Sequence, residues 1–286
     1  MTNLPAIKFG TDGWRALIAG DYTFANLERV AQAFADHLRQ TTSPGPPFVI
    51  VGYDRRFLSE DFAQRAAEVL AGNGFQVSLF KEPAPTPLIS WAVKDLKADA
   101  GIVITASHNP SDFNGFKIKA PWGGSAAPET TAAVEKLVDQ NVPTRSEFSE
   151  SGSERLQPAL DSYRRQITSY IDLDRIRSFD GAVVVDPMHG SGGDWVESFL
   201  GGGKLKVETI RGYRDPLFGG VNPEPIDSNL AALKQRVLEQ RAFVGLATDG
   251  DADRVGAVNE SGQTMTMHDV VPLILLHLVR NRKMSG

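Results

Sequence analysis

The chain has 286 residues, a formal net charge of -5 and no cysteine. That length predicts about two domains, each with its own core, and the mild acidity gives no reason to expect nucleic acid or an anionic membrane as a partner. Disulfides, thiolate metal sites and cysteine nucleophiles are excluded.

The opening stretch MTNLPAIKFGTDGWRA lacks the charged-then-apolar pattern of a signal peptide. The first clear element is a buried strand over Phe48 to Asp54. A helix follows over Ser59 to Leu70, with Phe62, Ala66, Val69 and Leu70 at helical spacing, and Gly72-Asn73-Gly74 ends it. Phe75 to Phe80 predicts the next strand. Pro83-Ala84-Pro85-Thr86-Pro87 reads as a stiff connection, leading to a helix from Leu88 to about Leu96 and a strand over Gly101 to Thr105. Tyr53-Asp54-Arg55-Arg56, at a strand end, is expected to help organise a cleft. The polar stretch Asn141 to Gln157 predicts a linker.

The same order of elements then recurs. A helix over Ala159 to Tyr170 opens the second unit, and Ala182 to Asp186 predicts a buried strand. The Gly-rich turn His189-Gly190-Ser191-Gly192-Gly193 leads into a helix over Asp194 to Leu200. This turn lacks the spacing of a P-loop or dinucleotide fingerprint and reads as a tight strand-to-helix connection. Strands over Leu205 to Ile210 and Phe243 to Ala247 flank a Gly- and Pro-rich loop and a helix from Leu230 to about Glu239. Val255 to Val258 predicts a strand and Glu260 to Gln263 a turn. The segment His268 to Arg280 predicts a helix apolar nearly all round, which wants a surrounding core. Its longest apolar run, Val270 to Leu276, contains Pro272 and is too short to span a bilayer.

Continuous apolar strands separated by helices predict an α/β fold: two consecutive α/β domains of related layout with mixed, mainly parallel sheets. The expected boundaries are residues 1–150 and 151–262, with 263–286 as the start of a third domain. Each unit ends on a run of chemical interest just past a strand, where open α/β sheets place their ligand sites.

The first run is Thr105-Ala106-Ser107-His108-Asn109-Pro110. Adjacent side chains such as Ser107 and His108 rarely hydrogen-bond on a loop, and no G-x-S-x-G elbow is present, which argues against a hydrolytic triad. Alone, the run is equally well a simple turn. The second run is Asp249-Gly250-Asp251-Ala252-Asp253-Arg254. In an extended loop, three carboxylates at alternate positions point the same way, repel one another and favour a bound cation such as magnesium. A calcium helix-loop-helix is the rival metal reading, with Glu260 at its twelfth position. Arg254 stands where that loop needs glycine, and the flanks read as strands. A solvated acidic turn is the other alternative.

Together these runs, with Asn114-Gly115-Phe116-Lys117 and Phe9-Gly10-Thr11-Asp12-Gly13-Trp14-Arg15, resemble the α-D-phosphohexomutases, the family of phosphoglucomutase, phosphomannomutase and phosphoglucosamine mutase. The resemblance extends over essentially the whole chain and covers the first half of the family's four-domain architecture. It implies that Ser107 holds a transferable phosphoryl group and that Asp249, Asp251, Asp253 and the phosphoserine bind magnesium. It also implies that Arg15, Lys117 and Arg254 stabilise the phosphoryl charge during transfer, with His108 beside the reacting oxygens. The implied substrate is a hexose phosphate, glucose or mannose 1- or 6-phosphate, with a hexose 1,6-bisphosphate as intermediate and activator. The absence of cysteine fits a cytoplasmic setting.

The family's G-E-x-S-G-like sugar motif and R-x-S-G-T-E-P-like phosphate motif do not occur in the chain. Weak or absent mutase turnover is therefore expected of these 286 residues alone. Two alternatives stand beside the mutase: a non-catalytic phosphoprotein or binding fragment of the same fold, and a magnesium-dependent phosphohydrolase. The apolar terminal helix adds an expectation of self-association through Leu273, Leu276 or their neighbours.

Overall fold

The computed structural model describes residues 6–10, 12–42, 44–148 and 153–285. Thr11 of the N-terminal signature, part of the expected linker and the expected boundary at 150/151 lie outside the described residues.

The first sheet is built from β1 (Trp14–Leu17), β2 (Phe48–Tyr53), β3 (Gln76–Leu79), β4 (Ala100–Ile104) and β5 (Phe113–Lys119), in the order β1-β5-β4-β2-β3. The second uses β6 (Ala182–Asp186), β7 (Lys206–Thr209), β8 (Val244–Thr248), β9 (Val255–Asn259) and β10 (Thr264–Met265), in the order β10-β9-β8-β6-β7. The two orders match position for position. In each sheet three neighbouring strands pair parallel, and the other two are joined on by antiparallel pairing. The expected related layout and mixed sheets are thus both present, with antiparallel pairings as numerous as parallel ones. The reason is local: β4 turns directly back into β5, and β8 into β9, through short loops. Those loops are the two runs of chemical interest.

The helices are α1 (Phe24–Thr41), α2 (Ser59–Gly72), α3 (Thr86–Asp95), α4 (Pro128–Leu137), α5 (Gln157–Tyr170), α6 (Leu173–Arg177), α7 (Trp195–Leu200), α8 (Ala231–Gln240) and α9 (Met267–Arg280). Strand β2 shows why the first sheet is covered on both sides. Val49 and Val51 face a core shared with Val30 and Phe34 of α1 and Phe62 and Ala66 of α2, while Ile50 faces Ile89 and Ala92 of α3. Each such side chain contributes roughly 1.5–3 kcal/mol on burial. Gly52 lets α3 approach closely, because a Cβ there would collide with the Ile89 side chain. In the second sheet Val184 packs with Leu233 and Val237 of α8, and Val183 and Val185 face the opposite layer.

Two placements differ from expectation. Helix α5, expected to open the second unit, packs on the first: Ala159 is buried with Ile89 and Ala92, and Trp91 Nε1 donates to Ser162 Oγ at 2.7 Å. The apolar face of α3 needed a cover, and α5 is the segment that supplies it. Strand β10 lies in residues assigned to a third domain, yet it pairs with β9 and extends the second sheet. Helix α9 follows with no buried residue, and Val271, Leu273, Ile274, Leu275, Leu276 and Val279 are exposed. Among the described residues no helix is long and apolar enough to cross a membrane.

Candidate functional site

The loop after β4 turns sharply at Ser107, whose φ of 55° lies in the left-handed region, a conformation that costs a non-glycine residue about 1–2 kcal/mol. The turn is held from both sides of the peptide. Thr105 Oγ1 accepts the Ser107 N–H at 2.9 Å, and the Ser107 carbonyl accepts from Arg56 Nη2 at 2.8 Å. Arg56 is fully buried and grips the rest of the loop as well. Its Nη1 donates to the carbonyls of Pro110 (2.6 Å) and Phe113 (3.1 Å), and its Nη2 to that of Asn109 (2.7 Å). Asp54 balances its charge through Nε at 3.1 Å and also accepts from Thr105 and Ser59. The ring of Phe218, from the second unit, closes over the guanidinium at 5.0 Å. The expectation that the Tyr53 to Arg56 stretch organises the cleft is met most fully by Arg56, which sequence reasoning had not separated from its neighbours.

The loop after β8 meets this one directly. Ser107 Oγ donates to Asp249 Oδ2 at 2.9 Å, and Arg254 Nη2 donates to Ser107 Oγ at 3.0 Å. The same Arg254 nitrogen lies 2.6 Å from His108 Nδ1, so one guanidinium spans both residues. No contact joins the Ser107 and His108 side chains among the described hydrogen bonds, in line with the argument against a hydrolytic dyad. Asp249 Oδ1 accepts the backbone N–H groups of Asp253 (3.0 Å) and Arg254 (3.2 Å), which fold the loop.

Carboxylate oxygens of Asp249, Asp251 and Asp253 all lie within 4.8 Å of one another. Their environments differ. Burial, then the charges of Asp251 and Asp253, pushes the Asp249 carboxyl up to about 7. Burial would raise Asp251 as well, but Lys117 beside it brings that carboxyl below the usual range. Lys117 Nζ sits 2.9 Å from Asp251 Oδ2, 2.8 Å from Asp12 Oδ2 and 3.4 Å from Asp253 Oδ2. Burial opposes its charge, and these three carboxylates override that and hold the ammonium firmly protonated. Asp251 Oδ1 is buried without a hydrogen-bond partner. An all-oxygen donor set with one orphaned carboxylate oxygen fits a hard divalent cation such as magnesium. The helix-loop-helix alternative finds no support in the flanks, which are β8 and β9.

Arg15, in β1, donates to Asn109 Oδ1 at 2.9 Å and pairs with Asp12 at 3.4 Å. It therefore reaches the Ser107 loop, and among the described hydrogen bonds and ion pairs none joins it to the Ser107 hydroxyl or to Asp249, Asp251 or Asp253. His108 is partly buried, and burial followed by the Arg254 charge lowers its pKa, which favours the neutral ring. The His189 to Gly193 turn lies behind the carboxylate loop: Ser191 N–H donates to the Gly250 carbonyl at 3.0 Å. Its position matches a tight connection that supports the site. Sequence reasoning also passed over Thr86, whose hydroxyl donates to Asp251 Oδ2 at 2.8 Å; its one signal was a polar residue set between prolines.

The comparisons with known proteins agree with this geometry. Residues 6–145 match the family model for phosphoglucomutase/phosphomannomutase α/β/α domain I, and residues 161–262 match that for domain II. A phosphoglucomutase/phosphomannomutase of Thermococcus kodakarensis is 33% identical over 255 residues, covering 89% of this chain and 56% of the relative. A phosphoglucosamine mutase of Novosphingobium aromaticivorans is 29% identical, covering 97% of this chain and 61% of the relative. A crystal structure from Thermus thermophilus, named provisionally as a phosphomannomutase, superposes with a TM-score of 0.87 at 40% identity over 98% of this chain and 62% of its own. The chain thus spans little more than half the length of these relatives. With both family models matched across most of its length, the chain belongs to the α-D-phosphohexomutase family and carries that family's first two domains.

Proposed function

We propose that the chain carries the phosphoryl-handling half of a phosphohexomutase site, with Ser107 as the residue that holds the group between transfers. The observation that carries the reading is the Ser107 hydroxyl itself. It is buried where two α/β units meet, bonded at once to Asp249 from one loop and Arg254 at that loop's end. A buried serine needs no such neighbours to fold; a group that accepts and gives up a phosphoryl does.

In the proposed transfer, a sugar hydroxyl oxygen bonds to phosphorus as the bond from phosphorus to Ser107 Oγ breaks. The hydroxyl proton ends on the departing Ser107 Oγ, so the step balances, and His108, whose Nδ1 faces Arg254 at 2.6 Å, lies beside the reacting oxygens. Arg254 and Lys117 hold positive charge against the phosphoryl oxygens and the departing Ser107 oxygen, and Arg15 steadies Asn109 in the same loop. Asp249, Asp251 and Asp253, with a phosphorylated Ser107, are the proposed magnesium ligands; the ion supplies further positive charge where the phosphoryl charge develops. The proposed substrate is a hexose 1- or 6-phosphate and the intermediate a hexose 1,6-bisphosphate. Turnover by these residues alone is proposed to be weak, because the motifs that would grip the sugar and its second phosphate do not occur in the sequence.

The test is intact-mass measurement after incubation with glucose 1,6-bisphosphate and magnesium. The chain should gain one phosphoryl group, Ser107→Ala should gain none, and glucose 6-phosphate added afterwards should remove it. A modified S107A chain would overturn the assignment, and release of inorganic phosphate with no transfer to sugar would favour a hydrolase.

A further inference from the structure

The Pro83 to Pro87 stretch, a plain connection by sequence, holds a residue with a second task. Pro85 and Pro87 lack an N–H, so Thr86 is the one backbone donor between them. Thr86 is the first residue of α3, and Pro85 at the cap position has no side-chain acceptor to offer the first turn. The missing acceptor comes from the other unit: the Asp251 carbonyl takes the Thr86 N–H at 2.8 Å. The Thr86 hydroxyl then donates to Oδ2 of the same aspartate at 2.8 Å. One buried residue of the first sheet's layer thus pins both the main chain and the side chain of Asp251.

Oδ2 is occupied on its other side by Lys117 Nζ at 2.9 Å. With Thr86 and Lys117 on one oxygen, the carboxylate cannot turn without breaking a buried hydrogen bond, and Oδ1 is left as the oxygen without a partner. The β-branched side chain of threonine restricts its own rotation, so the hydroxyl is aimed before any ligand arrives.

We infer that Thr86 is a positioning residue for divalent-cation binding: it fixes the Asp251 carboxylate so that Oδ1 faces the cation, and it makes the affinity of that site depend on contact between the two sheets. The inference rests on the metal reading given under Proposed function. Removing a group that orients a metal ligand typically weakens metal affinity about 10- to 100-fold.

The experiment is Mn2+ titration of the full chain followed by the electron paramagnetic resonance signal of free Mn2+, with folding checked by circular dichroism in EDTA. T86V should weaken binding by about 10–100-fold, and T86S, which keeps the hydroxyl, should restore most of it. T86A carries the same expectation as T86V and removes the hydroxyl without placing a methyl against Asp251, should T86V fail to fold. Mn2+ binding unchanged in T86V or T86A would overturn the inference while leaving the metal site standing. Equal weakening in T86S would assign the effect to lost packing and overturn it too. If the unsubstituted chain binds no Mn2+, the metal reading falls first and this inference falls with it.

Discussion

Replacing Asp249 by asparagine should make the metal-free chain more stable at pH 8 while abolishing its affinity for divalent cations. Asp249 is pushed from an ordinary 3.8 up to about 7 by burial and by two neighbouring carboxylates. Between those values the folded chain binds more protons at this site than the unfolded chain does. Stability without metal therefore falls as pH rises from about 4 to about 7. About three pH units at about 1.4 kcal/mol each set a ceiling of about 4 kcal/mol on the cost of ionising Asp249 in place. Asparagine keeps an oxygen for the N–H groups of Asp253 and Arg254, but its amide would face the Ser107 hydroxyl and Arg254 with the wrong polarity. One misplaced hydrogen bond costs about 1–3 kcal/mol, so the net gain is at most about 1–3 kcal/mol. Urea denaturation in EDTA reads it directly: D249N above the parent at pH 8, with the gap closing toward pH 4. Added magnesium should reverse the order at pH 8 by stabilising the parent alone. A D249N chain less stable than the parent at pH 8 in EDTA would refute the reasoning.

Arg56→Met should cost about 3–5 kcal/mol, because it strands the buried Asp54 charge and releases the four carbonyls that shape the Ser107 loop; urea denaturation showing a loss under about 1 kcal/mol would contradict this. Lys117→Met should destabilise the metal-free chain by about 3 kcal/mol by leaving Asp12, Asp251 and Asp253 facing one another. Magnesium should return much of that loss, and a thermal melt unaffected by the ion would argue against a shared charge balance. Leu276→Glu, on the exposed face of α9, should change stability by less than about 0.5 kcal/mol. If copies associate through that face, sedimentation should show association in the parent and monomers in L276E; a parent chain that is monomeric at high concentration would remove the idea.

The inner strands were legible because their burial is local and continuous: Phe48 to Tyr53 and Ala182 to Asp186 present apolar side chains to both layers. Helix α1 was passed over although Leu27, Val30, Ala31, Phe34 and Leu38 fall at helical spacing after the Thr23 cap. Between them stand Asn26, Arg29, Gln32 and Asp36, which look solvent-facing and are in fact buried, Gln32 bonding to both Asp36 and Asn73. Strand β5 was hidden for a related reason. Lys117 is only 1% exposed, and no rule of alternation predicts a buried lysine whose partners arrive from another unit. In the site, the three aspartates stood out by spacing and Ser107 through the resemblance of its loop, and the structure brings the four together. Arg56 and Thr86 act on carbonyls and on an aspartate far away in sequence, and contacts of that kind leave no periodic trace.

Gly250 touches the Ser107 loop with nothing between the two main chains, since a Cβ there would collide with the Ser107 carbonyl oxygen. On its far side, Gly190 abuts the Gly250 carbonyl as closely. The aspartate loop is therefore wedged, backbone against backbone, on two sides. At the mouth of the site His108 is half-buried, and Asp253 and Arg254 are exposed. The spacing of these loops is thus set by two missing side chains, and a side chain at either glycine would push them apart.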